Sequence, residues 1–578
     1  MRICYYLAVR HILAYMYLRQ TRQKRTDGSV LTHLQLVESV WDPVKRQSKI
    51  RVIHNCGRGD DPEVIERLRR LACNILRRCS PEEIVAENPQ WRLVEAWPYG
   101  DVYVLERLWQ RLGIGEVIQQ ALGRRKMDFP VERALFAMVA NRACAPSSKL
   151  YCWEQWLGED VRIAGTAELE LHHLYRAMDF LEANKTAIEE AIYFRMADLL
   201  NLDVELIFYD TTSLHFEVDE EDEGAGEDDV VYGSLPSGAK RYRALRKRGK
   251  SKNGRDDAPQ IVVGLAVTRD GFPVRHWIFP GNTVDVTTVE QVKQDLKGWR
   301  LGRCVFVGDA GMVSKANLEQ LARGGGRYIL CMPVHPGGEV DREVIARPGR
   351  YQPVAENLQV KEVVVGVGER RRRYVVCHNP QEAQRQRHHR EQVLKELAAE
   401  IATLRESDAA GHSKRVCALR ASARYGRYLR LSKTGKPVID AAKIKAAERL
   451  DGKFVVHSND DTLSAADLAL GYKQLQRVEQ AWRSLKSGLR LRPVYHWAVH
   501  RIHAHVGLSV LALLLEWVAE HACADTWRNI RDDLRQIKLA QLSSPNGTVW
   551  QVTEPAPAAD KRLKLLQIAK PPPLLDIA

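Results

Sequence analysis

Between residues 203 and 332 the chain is written as strand, hairpin, helix, strand, helix, strand, and this order restricts the possible folds more than any other feature. VELIFYD (204–210) is a short apolar strand ending in a carboxylate. QIVVGLAVT (260–268) and FPVRHWIF (272–279) flank the turn Arg269-Asp270-Gly271 as a hairpin. TTVEQVKQDLKGW (287–299) has helical spacing, CVFVGDA (304–310) is a strand, SKANLEQLAR (314–323) a helix and RYILCM (327–332) a strand. Three strands in antiparallel succession followed by two crossovers predict a mixed sheet covered by helices, an α/β core.

The flanks read differently. Residues 16–55 form strands around the turn signal Thr26-Asp27-Gly28-Ser29, and 61–94 are helical, giving an N-terminal region at 1–95. Pro98-Tyr99-Gly100 opens a helical block, 96–200, in which ERALFAMVANRACA (132–145) and TAIEEAIYFRMADLL (186–200) are amphipathic. The core begins at 201–332. An acidic run (219–223 and 227–229) and a basic one (240–255) inside it read as a solvated loop. Residues 333–466 break the rhythm with strand-like pieces and one charged helix near 380–406. They are too long and too structured for a loop, so they are expected to be an inserted subdomain. Helices resume at 467–525, and a tail at 526–578 with two proline breaks is expected to be loosely held.

Lys and Arg number 87 against 73 Asp and Glu, a net charge of +14, so a polyanionic partner such as nucleic acid is expected. The eleven cysteines are scattered with no CxxC pair, which fits reduced thiols rather than a disulfide framework or zinc ribbon. The strongest apolar run, 506–515, stops at Glu516 and is too short to span a bilayer. With no secretory signal, a soluble cytoplasmic protein without membrane association is expected.

Three acids are placed for chemistry. Asp210 and Asp309 each end an apolar strand, where ligand sites of sheets with crossover helices lie. Either alone also suits a turn or helix cap. The third is Glu479, within the helical stretch 472–486. Seven residues at about 100° each make nearly two turns, so Tyr472, Glu479 and Lys486 are expected on one face, with Arg483 about 40° away. Taken alone, this helix is equally a solvated face with a Glu–Arg pair. Three carboxylates suit hard divalent cations such as Mg²⁺, and two such ions about 4 Å apart support in-line phosphoryl displacement. His496, His500 and His503 share a face that could hold zinc, but no Glu or Cys completes the set and Arg492 and Arg501 repel a cation.

YDTTSLHFE (209–217), IVVGLAVTRDGFPVRHWIFPGNTVD (261–285), VFVGDAGM (305–312) and YKQLQRVEQAWRSLKSGLRLRPVYHW (472–497) together resemble the DDE transposases of bacterial insertion sequences. The likeness is to the cut-and-paste branch with a Tyr-Arg-Glu-Lys signature. The resemblance implies a ribonuclease-H-like core interrupted by a mainly β insertion. It also implies that Asp210, Asp309 and Glu479 hold two Mg²⁺ ions, for which Mn²⁺ substitutes, and that the enzyme cleaves DNA and transfers a strand. Tyr472 and Lys486 match signature positions that grip DNA phosphates. The signature arginine falls on Leu475, so Arg483 rather than Arg477 is the geometric replacement. Double-stranded DNA, as terminal inverted repeats and target, and a homodimer on DNA are the implied partners, with terminal recognition expected in 96–200. The alternatives are a ribonuclease-H-like nuclease without strand transfer and a non-catalytic DNA-binding relic. Because the likeness starts near Met16, residues 1–15 are expected to precede the true start.

Overall fold

The computed structural model describes residues 16–24, 30–42, 47–76, 91–200, 205–223, 230–231, 241–242, 244–299, 301, 304–368, 371–405, 409–544 and 547–575. Residues 1–15, the turn at 26–29 and the run at 227–229 lie outside them. The chain forms two compact units, Met1–Val94 with Gln541–Val549, and Glu95–Ala540 with Trp550–Ala578.

In the first unit β1 (Met16–Lys24), β2 (Val30–Asp42) and β3 (Gln47–Arg58) make an antiparallel sheet in chain order, followed by α1 (Pro62–Leu76). Leu34, Val37 and Val64 are its buried contacts. Gly57 has φ +114 beside a register shift in the β2–β3 pairing, and a Cβ there would stand 2.9 Å from Val64 Cγ2, so glycine allows both the irregular backbone and the close helix.

The second unit opens with a helical layer: α2 (Gly100–Arg111), α3 (Ile114–Leu122), α4 (Val131–Cys144), α5 (Leu171–Ala183) and α6 (Lys185–Leu199). The amphipathic reading of α4 needs correction. All its residues but Arg133 are buried, because α2, α3 and α5 surround it together with a long C-terminal helix.

The core sheet follows the predicted order. β4 (Leu206–His215), β5 (Gln260–Val267) and β6 (Pro273–Pro280) pair antiparallel in succession. After α7 (Asp285–Gly298), β7 (Val305–Gly308) returns parallel to β4. After α8 (Lys315–Ala322), β8 (Arg327–Met332) lies parallel to β7. The spatial order β6-β5-β4-β7-β8 is the ribonuclease-H-like arrangement.

The segment 333–466 is neither separate nor mainly β. β9 (Gln352–Ala355), β10 (Leu358–Val365) and β11 (Arg372–His378) lead into α9 (Pro380–Arg405) and α10 (Ala409–Ala421). A small ladder of β12 (Leu429–Leu431) and β13 (Pro437–Ile439), then α11 (Ala441–Glu448) and β14 (Lys453–Ser458), complete it. β14 pairs antiparallel with both β8 and β11, so the core continues into one nine-stranded sheet, β9-β10-β11-β14-β8-β7-β4-β5-β6. The open edge of β8 is thereby covered. The helices α9 to α11 carry 26, 13 and 8 residues, and Val393, Leu397, Ile401, Tyr428 and Leu429 form a small core of their own beneath them.

The last elements are α12 (Ala465–Lys473), α13 (Gln476–Arg483), α14 (Val499–Cys523), α15 (Trp527–Leu534) and α16 (Pro557–Leu565). By length and composition α14 could cross a membrane, but 94% of its most apolar window is buried inside the fold. The tail is docked, not loose. Arg111 donates to the carbonyls of Leu566 and Gln567 at 2.8 Å each, Tyr103 donates to Ala569 O at 2.9 Å, and Leu563 is buried.

Candidate active site

Parallel pairing of β4 and β7 matches Val305 with Leu206, Phe306 with Ile207 and Val307 with Phe208. Continued by two residues, the register sets Asp309 beside Asp210 at the carboxyl ends of neighbouring parallel strands. Burial raises the Asp210 pKa. The nearby Asp285 and Asp309 carboxylates push it the same way, while Lys252 and the Thr211 backbone N–H oppose them.

Two residues join this pair that the sequence reading left out. Asp285, at the start of α7, accepts from Thr211 Oγ1 at 2.5 Å and pairs with Lys252 Nζ at 3.0 Å. A Cβ at Gly311 would stand 3.4 Å from Asp285 Oδ2, so Asp285 also borders the turn after Asp309. Lys252 lies 3.6 Å from Asp210 Oδ1. Its backbone N–H donates to Ser213 Oγ at 2.8 Å and Asn253 Nδ2 to Ser213 O at 2.7 Å, which pins this part of the basic run to β4. The expectation of a wholly solvated loop fails here. Asp285 ends the 261–285 motif and Lys252 stands in the basic run at 240–255, but neither shows its partner in sequence.

The expected helix 472–486 is broken. Leu475 N bonds to Tyr472 O at 2.9 Å, a tightened turn between α12 and α13. Leu489 N bonds to Ser484 O at 2.9 Å in a π-helical turn over Ser484–Gly488. Tyr472, Glu479 and Lys486 therefore do not share one continuous helix face. Tyr472 instead donates to Asp309 Oδ1 at 3.2 Å, and Lys486 Nζ donates to Asn253 Oδ1 at 3.3 Å, beside Lys252. Burial, joined by the Asp309 charge, raises the Tyr472 pKa, so its hydroxyl stays a donor. Burial, with Arg492 and Lys252 nearby, lowers that of Lys486. Glu479 and Arg483 are exposed on α13, whose Val478 and Trp482 pack inward and which lies against β4. Among the described residues, no hydrogen bond or ion pair ties Glu479 or Arg483 to the aspartates.

Among the described residues, no three His, Cys, Asp or Glu side chains converge closely enough to chelate an ion. The donor chemistry around Asp210 nevertheless fits a hard divalent cation: the donors are carboxylate oxygens, and their charge is already met by an ammonium group. The histidine face does not assemble. His500 pairs with Asp179 at 3.1 Å, His503 with Glu182 at 3.3 Å, and His496 packs against His505.

Residues 18–87 match the N-terminal domain of IS1634 family transposases, and residues 238–515 match the transposase DDE domain. The second match includes Asp309 and Glu479 and starts after Asp210. No curated protein matches the chain. Among solved structures it is similar to a piggyBac transposase synaptic complex with hairpin DNA, at 10% identity and a TM-score of 0.32, over 76% of this chain and 79% of that one. DDE transposases act on DNA and depend on divalent metal ions. With both family domains in order along one chain, this protein belongs to the DDE transposases of insertion sequences.

Proposed function

We propose that the protein binds the terminal inverted repeats of its own element as a homodimer, excises the element with two Mg²⁺ ions and joins it to target DNA. The observation that carries this is the placement of Asp210 beside Asp309 on adjacent parallel strands, with Tyr472 holding one and the Lys252–Lys486 cations beside the other. Asp210, Asp309 and Glu479 would hold the metal, which when bound activates water and stabilises the leaving oxygen of an in-line displacement. Mn²⁺ is expected to substitute.

The chain's own residues do the rest. Tyr472 fixes the Asp309 carboxylate through its hydroxyl. Lys486 and the exposed Arg483 supply positive charge for the phosphates flanking the cut, as the Tyr-Arg-Glu-Lys branch requires. In the helical block 96–200, the consecutive exposed bases Arg124, Arg125 and Lys126 after α3 support a part in holding the element end. Cytoplasmic action on nucleoid DNA follows from this reading.

The test is cleavage of a duplex carrying both element ends, with Mg²⁺, by wild type beside Glu479→Gln. Cutting and joining by wild type, lost in the variant while binding is retained, is the expected result. Cutting without joining would mean a nuclease, and binding without cutting by either protein a DNA-binding relic. Cutting that survives the substitution would remove Glu479 from the centre.

A further inference from the structure

The ammonium of Lys252 is enclosed by four oxygens. Thr211 O and Thr211 Oγ1 lie at 2.8 Å, Asp285 Oδ2 at 3.0 Å and Asp210 Oδ1 at 3.6 Å. Carboxylates, a carbonyl and a hydroxyl are the donors a hard cation takes. The contacts are graded, tight to Asp285 and loose to Asp210. Asp285 is committed on its other side, where Oδ1 accepts from Thr211, so it acts as a tether. The backbone at Lys252 and Asn253 is fixed to Ser213, while the Lys252 side chain is 40% exposed and has room to swing.

We infer that Lys252 is the built-in counter-ion of the metal-free centre: its ammonium competes with an incoming divalent ion for Asp210 and, once displaced, stays moored to Asp285. The inference rests on the proposed role of Asp210 as a metal carboxylate. It adds a competing cation supplied by the chain itself, so metal affinity without DNA is held down by an internal lysine. Two cations a few ångströms apart repel strongly enough at a half-buried site to change ion affinity on the order of tenfold.

The experiment is titration of the full-length protein, stripped of divalent ions and without DNA, with Mn²⁺ alone. Bound ion is read by the loss of the free-Mn²⁺ electron paramagnetic resonance signal. Wild type is compared with Lys252→Met, Lys252→Gln and Asp210→Asn, the second lysine variant serving should the first not fold. Both lysine variants are expected to bind Mn²⁺ on the order of tenfold more tightly than wild type, and Asp210→Asn to lose the site. Equal or weaker binding by the lysine variants, with the site still lost in Asp210→Asn, overturns the exchange and leaves the proposed metal centre standing. Binding that is unchanged in Asp210→Asn overturns both.

Discussion

Asp210 has the carboxylates of Asp285 and Asp309 near it and one lysine among them, whereas around Arg142 four bases gather and, among the described residues, none of the four is ion-paired with a carboxylate. Arg142, Lys149, His496 and His505 are buried. Burial lowers every one of their pKa values, and the positive neighbours lower those of Lys149, His496 and His505 further: Arg142 to about 10, Lys149 to about 7, His496 to about 3, and His505 well below its ordinary range. Arg142 spends its guanidinium on carbonyls, those of Arg490 at 3.1 Å, Ser147 at 3.2 Å and Leu489 at 3.3 Å. His505 Nε2 meets Leu491 O at 3.1 Å. Lys149 Nζ is buried without a hydrogen-bond partner. The difference is one of purpose. The acids face a cation, Lys252, while the bases shed protons or hold backbone, just beyond the turn that aims Lys486.

The contrast breaks most visibly at Arg142. Arg142→Ala removes three donor contacts to three carbonyls and should destabilise the second unit by about 3 kcal/mol, measured by denaturant unfolding. A cost near zero would mean that the Leu489–Arg490 segment holds itself. Lys149 gives a smaller effect of opposite sign. Its native pKa of about 7 lies below the ordinary 10.5, so above neutrality the unfolded chain binds more protons than the folded one. Stability from this group therefore rises with pH from about 7 towards 10. Lys149→Met should raise stability at pH 7 by roughly 2 kcal/mol and flatten that rise, as thermal melts at pH 7 and 9 would show. A variant that melts lower at pH 7 would place the ammonium in a favourable setting after all. The acidic side is sharpened by Arg483→Ala, expected to slow strand transfer about tenfold, or about 1.4 kcal/mol. Arg477→Ala, on a residue that donates to Gln480 at 3.3 Å, should do less. Equal or reversed effects in a joining assay would exclude Arg483 as the replacement for the signature arginine.

Much of the catalytic sheet was legible because its signals are local. β4 to β8 follow from apolar runs of strand length between turn residues, and Asp210 and Asp309 stand out because each ends such a run. Pairing between distant segments carries no local mark. Nothing in KFVVHS announces that β14 seals the edge of β8, and nothing in KSKNG announces that Lys252 reaches Asp210 and Asp285. The break at Gln474–Leu475 was hidden for another reason. Every residue from Tyr472 to Lys486 tolerates a helix, so the change from α-helical to tighter and then wider turns was not marked by Pro or a capping Gly. In α4 the polar residues suggested an outer face, but Asn141 bonds to Ala145 O at 3.0 Å and Arg142 to carbonyls, so both stay inside.

The ladder running without interruption from β9 to β6 has a mechanical consequence. Strands joined edge to edge move as a plate, since sliding one past the next would break a whole row of hydrogen bonds. Asp309 follows β7, which is bolted through β8 and β14 to β11 and β10. A push on β10 therefore reaches the edge that carries Asp309 as rigid displacement. Any independent articulation of the 333–466 segment must come from α9 to α11, which carry their own small core and can pivot without tearing the plate.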